Sequence, residues 1–209
     1  ATGDNGGLQC KGGEDWSTPP GASDVGLDAL SSIPEMTAVG GTTLSTDTSG
    51  VWLGEQAWFN PPLSIGSSGG VSALYPRPDW QHSVSSNRDS SHRLSPDVAA
   101  TADPLTGLRI VFGHQILVGG GTSQAAPIWA ALTTLMNQYL VAEGGRPLSM
   151  LNSLLYRIAS GAPRPAFRDI SLGGNAVDVA VPGYDLITGL GTPNIDNLAR
   201  NLLDIQRSR

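Results

Sequence analysis

The sequence predicts an α/β layer protein, and three observations carry that reading. Short apolar runs of strand length recur at residues 36–44, 50–59 and 97–103, flanked by glycine, proline or asparagine. Apolar stretches of helical length follow residue 127 and recur towards the C-terminus. Strands mixed with helices in one chain of 209 residues indicate helices layered on a sheet around a single sizeable core.

Taken in order, residues 1–25 are a glycine- and proline-rich loop. MTAVGGTTL (36–44) reads as a buried strand, a glycine bend and the start of a second strand. GVWLGEQAWF (50–59) alternates as a strand with aromatic anchors. Residues 60–97 read mostly as loop, with one ordered piece near Val71–Tyr75. DVAATAD (97–103) is a short buried strand followed by a PLTG turn. Arg109–Phe112 and Ile116–Val118 flank a glycine turn at Gly113 and predict a β-hairpin with His114 at its solvent-facing tip. IWAALTTLMNQYL then predicts a central helix that Gly144-Gly145 ends. Past Pro147, Leu151, Leu154, Leu155 and Ile158 share one face of a second helix, and NIDNLARNLLDIQRS is an amphipathic third, capped by Asn194 or Asp196.

Composition narrows the function classes. A 39% hydrophobic and 14% charged chain is globular with few surface charges. Its net charge of −6 and pI near 4.8 argue against nucleic acid and anionic membranes as partners. The basic residues are arginines except for Lys11, a balance that suits a protein folded in acid. Cys10 is alone, so no disulfide forms within the chain. No apolar run reaches transmembrane length. The opening ATGDNGG has no start methionine, basic region or apolar region of a signal peptide, and predicts a processed or truncated product.

GGGTSQAAP (119–127) is the most chemically suggestive stretch. It places Ser123 between a glycine bend and a helix, with Pro127 compatible with the first helical turn. Such a bend can expose a serine Oγ at a helix N-terminus, where backbone N–H groups favour developing negative charge. The same residues also read as a simple N-cap beside a glycine hinge. His82, His92 and His114 show no metal-ligand spacing, and Asp97 reads as a structural acceptor of backbone amides.

Several separated stretches decide between these readings of Ser123. TGDNG (2–6), AVGGTTL (38–44), PDVAATADPLTG (96–107), GGTSQAAPIWAAL (120–132), FRDI (167–170) and GYDLITGLGTPN (183–194) occur in that order. In order and spacing they resemble the sedolisins, serine-carboxyl peptidases with a subtilisin-like fold. That fold is an α/β domain with a mainly parallel sheet flanked by helices, and the resemblance spans essentially the whole chain. It implies that Ser123 is the nucleophile and that Asp4 lines the oxyanion hole. An aspartate donates a hydrogen bond only when protonated, which is why the family works at low pH. Read alone, Asp4 would be an Asx-turn residue between two glycines.

The resemblance further implies one bound Ca²⁺ in the region 165–193. Its ligands would be the carboxylates of Asp169 and Asp185 and the carbonyls of Ile170, Val181 and Gly183, a hard-oxygen set suited to calcium. Asp178 is a possible extra ligand. A serine nucleophile needs a general base, which the family supplies as a glutamate with an aspartate four residues later. Thr18, Val39, Phe59 and Pro147 stand four residues after Glu14, Glu35, Glu55 and Glu143, so the pattern is absent. The expectation is therefore the C-terminal half of a catalytic domain, with the acid pair supplied by the N-terminal half as a second chain. The resemblance implies an acid-active endopeptidase or tripeptidyl peptidase acting on peptides or proteins. It also implies a secreted or lysosome-like acidic setting and a propeptide removed earlier. The rival expectation is a non-catalytic, calcium-stabilised binding module or inactive truncated pseudo-peptidase. An α/β-hydrolase would need G-x-S-x-G, and Ala125 occupies the last position.

Overall fold

The computed structural model describes residues 1–11, 19–61, 65–86, 88 and 91–208; Glu14 lies outside them. The chain first forms β1 (Val39–Thr46), β2 (Trp52–Ala57), β3 (Phe59–Asn60), β4 (Ile65–Gly66), β5 (Gly70–Pro76) and β6 (His92–Ser95). Then come β7 (Val98–Thr101) and the hairpin β8 (Arg109–Phe112) and β9 (Gln115–Val118). Helices α1 (Thr122–Ala142) and α2 (Leu151–Ala159), the short strands β10 (Phe167–Arg168) and β11 (Thr192–Pro193), and α3 (Ile195–Arg207) complete it.

The central sheet has the order β2-β1-β7. β1 and β7 are parallel, with Val39 opposite Val98, and β2 returns antiparallel along the other edge of β1. α1 lies against β1 and β7. Its buried Ala125, Trp129, Met136 and Leu140 recur at helical spacing on one face, and Trp129 Nε1 donates to the Ala99 carbonyl at 2.9 Å. Leu155, Tyr156 and Ile158 of α2 and Leu198, Leu202 and Leu203 of α3 join this core.

Three expectations are corrected. Gly40-Gly41 makes no bend: β1 runs unbroken through both. These glycines serve close packing, since a Cβ on Gly40 would lie 2.4 Å from the Ile187 carbonyl oxygen and one on Gly41 2.5 Å from Ala102 Cβ. Residues 60–97 are richer in structure than a loop, because β5 and β6 pair with each other and a 3₁₀ turn covers Asp79–Ser83. Finally, Pro127 sits inside α1 and not in its first turn, since the helix begins at Thr122. Lacking an N–H, it leaves the Ser123 carbonyl without its usual helical donor.

Asp97, read from sequence as an acceptor of backbone amides, sits at the centre of a buried polar cluster. Its Oδ2 accepts from the Ala38 amide at 2.8 Å and from Arg93 Nη2 at 2.6 Å, and neither side chain is exposed. Its Oδ1 accepts from the Tyr156 hydroxyl at 2.9 Å. Gln81 donates to that hydroxyl and to the Leu94 carbonyl, and accepts from the Leu94 amide. Burial pushes the Tyr156 phenol well above its ordinary pKa, so it remains a donor. The cluster joins β1, β6, α2 and the 79–83 turn. Asp97→Ala would leave the Arg93 guanidinium buried without its partner. We expect a loss of about 3–5 kcal/mol in urea unfolding, against about 1–2 kcal/mol for Tyr156→Phe, which deletes one hydrogen bond.

Candidate active site

The hairpin, the glycine bend and α1 bring Ser123 to the surface. β8 and β9 are joined by a two-residue turn, with Gly113 and His114 both at positive φ as a type I′ turn requires. His114 is exposed at the tip, as its position in the sequence predicts. The chain returns along β9 and bends at Gly121, whose φ is +84°. There α1 starts, with Ser123 exposed in its first turn.

Asp4 meets the same helix start. Its Oδ1 accepts from the Thr122 amide at 2.7 Å and from the Thr122 hydroxyl at 2.9 Å. Gly121 has no side chain with which to cap α1, so a carboxylate from the other end of the chain takes one of the free N–H groups at the positive end of the helix. Thr122 Oγ1 in turn accepts from the Gly3 amide at 3.0 Å, and Gly66 donates its amide to the Asp4 carbonyl at 2.7 Å. A Cβ on Gly121 would fall 2.6 Å from Asp4 Oδ2, so glycine is required there for space as well as for backbone conformation. The structure thus brings Asp4 into contact with the residue preceding Ser123. Thr122, the hub of this contact, carried no role in the sequence reading, although it is the middle letter of GTS.

The other acids and histidines are engaged or placed elsewhere. Glu55 accepts from Thr42 Oγ1 at 2.6 Å and Thr192 Oγ1 at 2.9 Å, tying β1 to β11. Glu143 lies at the far end of α1 beside Arg207, and Glu35 is exposed. His82 and His92 are exposed in the 79–83 turn and at the start of β6. Among the described residues Ser123 Oγ has no hydrogen-bond partner.

Asp169 and Asp185 belong to a separate loop region. Asp169 Oδ2 accepts from the Gly183 amide at 3.0 Å, so those two segments meet. Asp185 Oδ1 accepts from the Ile187 and Thr188 amides, each at 2.8 Å, and its Oδ2 from Thr188 Oγ1 at 3.1 Å. Ile170 is buried, Val181 half-buried and Gly183 exposed. Burial pushes the Asp185 carboxyl up to about 6 despite these donors, and no cationic side chain pairs with it among the described residues. A desolvated carboxylate lacking a cation, a second carboxylate on the facing segment and backbone carbonyls are the donor types that a hard cation takes. Only these two carboxylates take part: no group of three or more His, Cys, Asp or Glu that could hold a metal gathers among the described residues, in this loop region or outside it. Asp178 points to other partners: it pairs with Arg88 at 3.1 Å, which sequence reading did not foresee, and its amide donates to Asn175.

No family model matches the chain. It is 37% identical to kumamolisin of Bacillus sp. (strain MN-32), over 80% of this chain and 31% of that protein. It is 32% identical to tripeptidyl-peptidase 1 of Dictyostelium discoideum, over 66% of this chain and 25% of that one. Pseudomonas sedolisin, a serine-carboxyl proteinase solved with two molecules of pseudo-iodotyrostatin, superimposes with a TM-score of 0.81 at 28% identity. That match covers 97% of this chain and 54% of the sedolisin chain. The chain spans about a third or less of the curated relatives it matches. Among the described residues no helix is long and apolar enough to cross a membrane.

The capping contact has a measurable consequence. Asp4→Ala strips the acceptor from the α1 N-terminus and should lower stability by about 1 kcal/mol in thermal unfolding. Asp4→Asn, which retains an acceptor oxygen, should lose less.

Proposed function

This chain belongs to the sedolisin family, and we propose that it supplies the nucleophile and oxyanion side of an acid-active serine-carboxyl peptidase. The observation that carries this reading is the contact between Asp4 and Thr122. One Asp4 oxygen is taken up by the Thr122 amide and hydroxyl, which leaves the second for the substrate. Held at the start of α1, that second oxygen, in the carboxylic acid form, would donate to the oxyanion formed when Ser123 Oγ attacks a peptide carbonyl. The N–H groups of the first turn of α1 add to the same stabilisation.

The Ser123 proton passes to a glutamate outside these 209 residues, steadied by an aspartate four residues on. That pair belongs to the N-terminal half of the domain, present as a second chain. The substrate is a peptide or protein, cleaved internally or as tripeptides from an end, in a secreted or lysosome-like compartment. Asp169, Asp185 and the carbonyls of Ile170, Val181 and Gly183 hold one Ca²⁺. The ion supplies the charge that buried Asp185 lacks and fixes the 165–193 loop against the core.

Two sets of measurements test this. In the assembled protein at acid pH, Ser123→Ala should reduce peptide cleavage to background. Asp4→Ala should lower kcat by about 10²–10³-fold. Asp4→Asn, which offers a neutral amide donor in the same place, should retain more of kcat than Asp4→Ala. Cleavage that survives Ser123→Ala would remove Ser123 as the nucleophile, and no cleavage by the unsubstituted assembly would leave Asp4 as a helix cap in a binding module. Separately, Ca²⁺ at about 100 times its Kd should stabilise the chain by about 2.7 kcal/mol. Asp185→Asn or Asp169→Asn should abolish that gain in calorimetry.

A further inference from the structure

The β8–β9 hairpin has no polar face. Its register pairs Ile110 with Leu117 and Val111 with Ile116. Because alternate residues share a face, Ile110, Phe112 and Leu117 fall on one side with Gln115, and Val111, Ile116 and Val118 on the other, with Arg109 at its edge opposite Val118. The first side is half-covered at Ile110 and Leu117, each 45% exposed, and open at its turn end, where Phe112 is 74% exposed. The second is open, with Val111 77%, Ile116 69% and Val118 59% exposed. An antiparallel ribbon facing water ordinarily alternates polar and apolar residues, and a lone two-stranded hairpin is marginal in water. This one forms its own two-stranded sheet and joins no other. An open strip of large aliphatic side chains marks a surface that another polypeptide covers.

We propose that the Val111–Ile116–Val118 face seats the polypeptide that completes the catalytic domain. This inference rests on the peptidase reading and adds to it the place where the two parts meet. The occupant is the segment equivalent to the nearly half of the sedolisin chain left outside a match that takes in 97% of this chain. The sedolisin chain carries this framework in 54% of its length, so a segment of comparable length accompanies it there. Position favours the same occupant. β9 leads through Gly119–Gly121 directly to Ser123, so a segment held on the hairpin is held beside the nucleophile, where the general base must arrive. A second copy of this chain would cover the strip and bring no base of the required pattern.

The test places p-benzoylphenylalanine at Val111 in the protein as its source cells make it, with Val141, exposed near the end of α1, as the control position. After irradiation at acid pH, mass spectrometry should find Val111 adducts at least about tenfold above the control. The adducts should lie in peptides that align with the unmatched part of the sedolisin chain. The double variant Val111→Glu/Ile116→Glu alters side chains already in water. It should therefore leave the melting temperature of this chain unchanged while reducing assembly with that segment by about tenfold or more. Adducts to a second copy of the chain would overturn the proposal. So would a preparation that cleaves peptides through Ser123 yet yields no Val111 adduct, which moves the seat elsewhere and leaves the peptidase reading intact. The absence of both Ser123-dependent cleavage and adduct would remove both.

Discussion

The fold depends on one buried carboxylate. Asp97 lies at the turn from β6 into β7, fully removed from water, and its oxygens reach a strand, an arginine and a helix at once. A charge in such a place is tolerated only when paired and hydrogen-bonded on all sides. Arg93, Tyr156 and the Ala38 amide meet that condition, and in doing so they fix how β1, β6 and α2 sit relative to one another. The Asp97 backbone extends the same constraint, because its carbonyl accepts from the Leu190 amide at 2.8 Å. The loop that carries Asp185 is thereby tied to the centre of the molecule.

The candidate active site uses a related device nearer the surface. α1 begins at a glycine that cannot cap it, and a carboxylate from the first residues of the chain fills the vacancy. Local stability and proposed chemistry are thus joined in one contact. The group that quiets the helix N-terminus is also the one to which the proposed mechanism assigns the oxyanion. The open face of the hairpin, and a Ser123 Oγ without a hydrogen-bond partner among the described residues, are the two features on which the proposal of a completing segment rests.

Much of this was legible in the sequence because the signals are local. Three helices, the hairpin with its tip at His114 and the cap at Asn194 follow from periodicity and turn chemistry within a few residues. β1 was mistaken for two strands because Gly40-Gly41 has the composition of a bend. Only the Ile187 carbonyl and Ala102, both far along the chain, reveal that the missing side chains make room for close packing. The ordered piece at Val71–Tyr75 is β5, whereas β6 and its pairing with β5 lie beyond sequence reading, since the pairing spans a polar loop that no short window connects. The resemblance placed Ser123 and Asp4 in one motif set, but the role of Thr122 as their physical link needed coordinates.

What the sequence determined by itself is the set of elements and their chemistry: a serine at a glycine bend, an aspartate between glycines, two loop aspartates and the family to which the order of motifs belongs. These are properties of short stretches, where backbone propensity and side-chain type suffice. The tertiary structure decided which oxygens meet which donors. It pairs Asp178 with Arg88, it makes Asp97 a buried ion-pair partner, and it turns Asp4 towards Thr122. Those outcomes depend on distance and desolvation between residues remote in the chain, quantities that exist only once the core has closed around them.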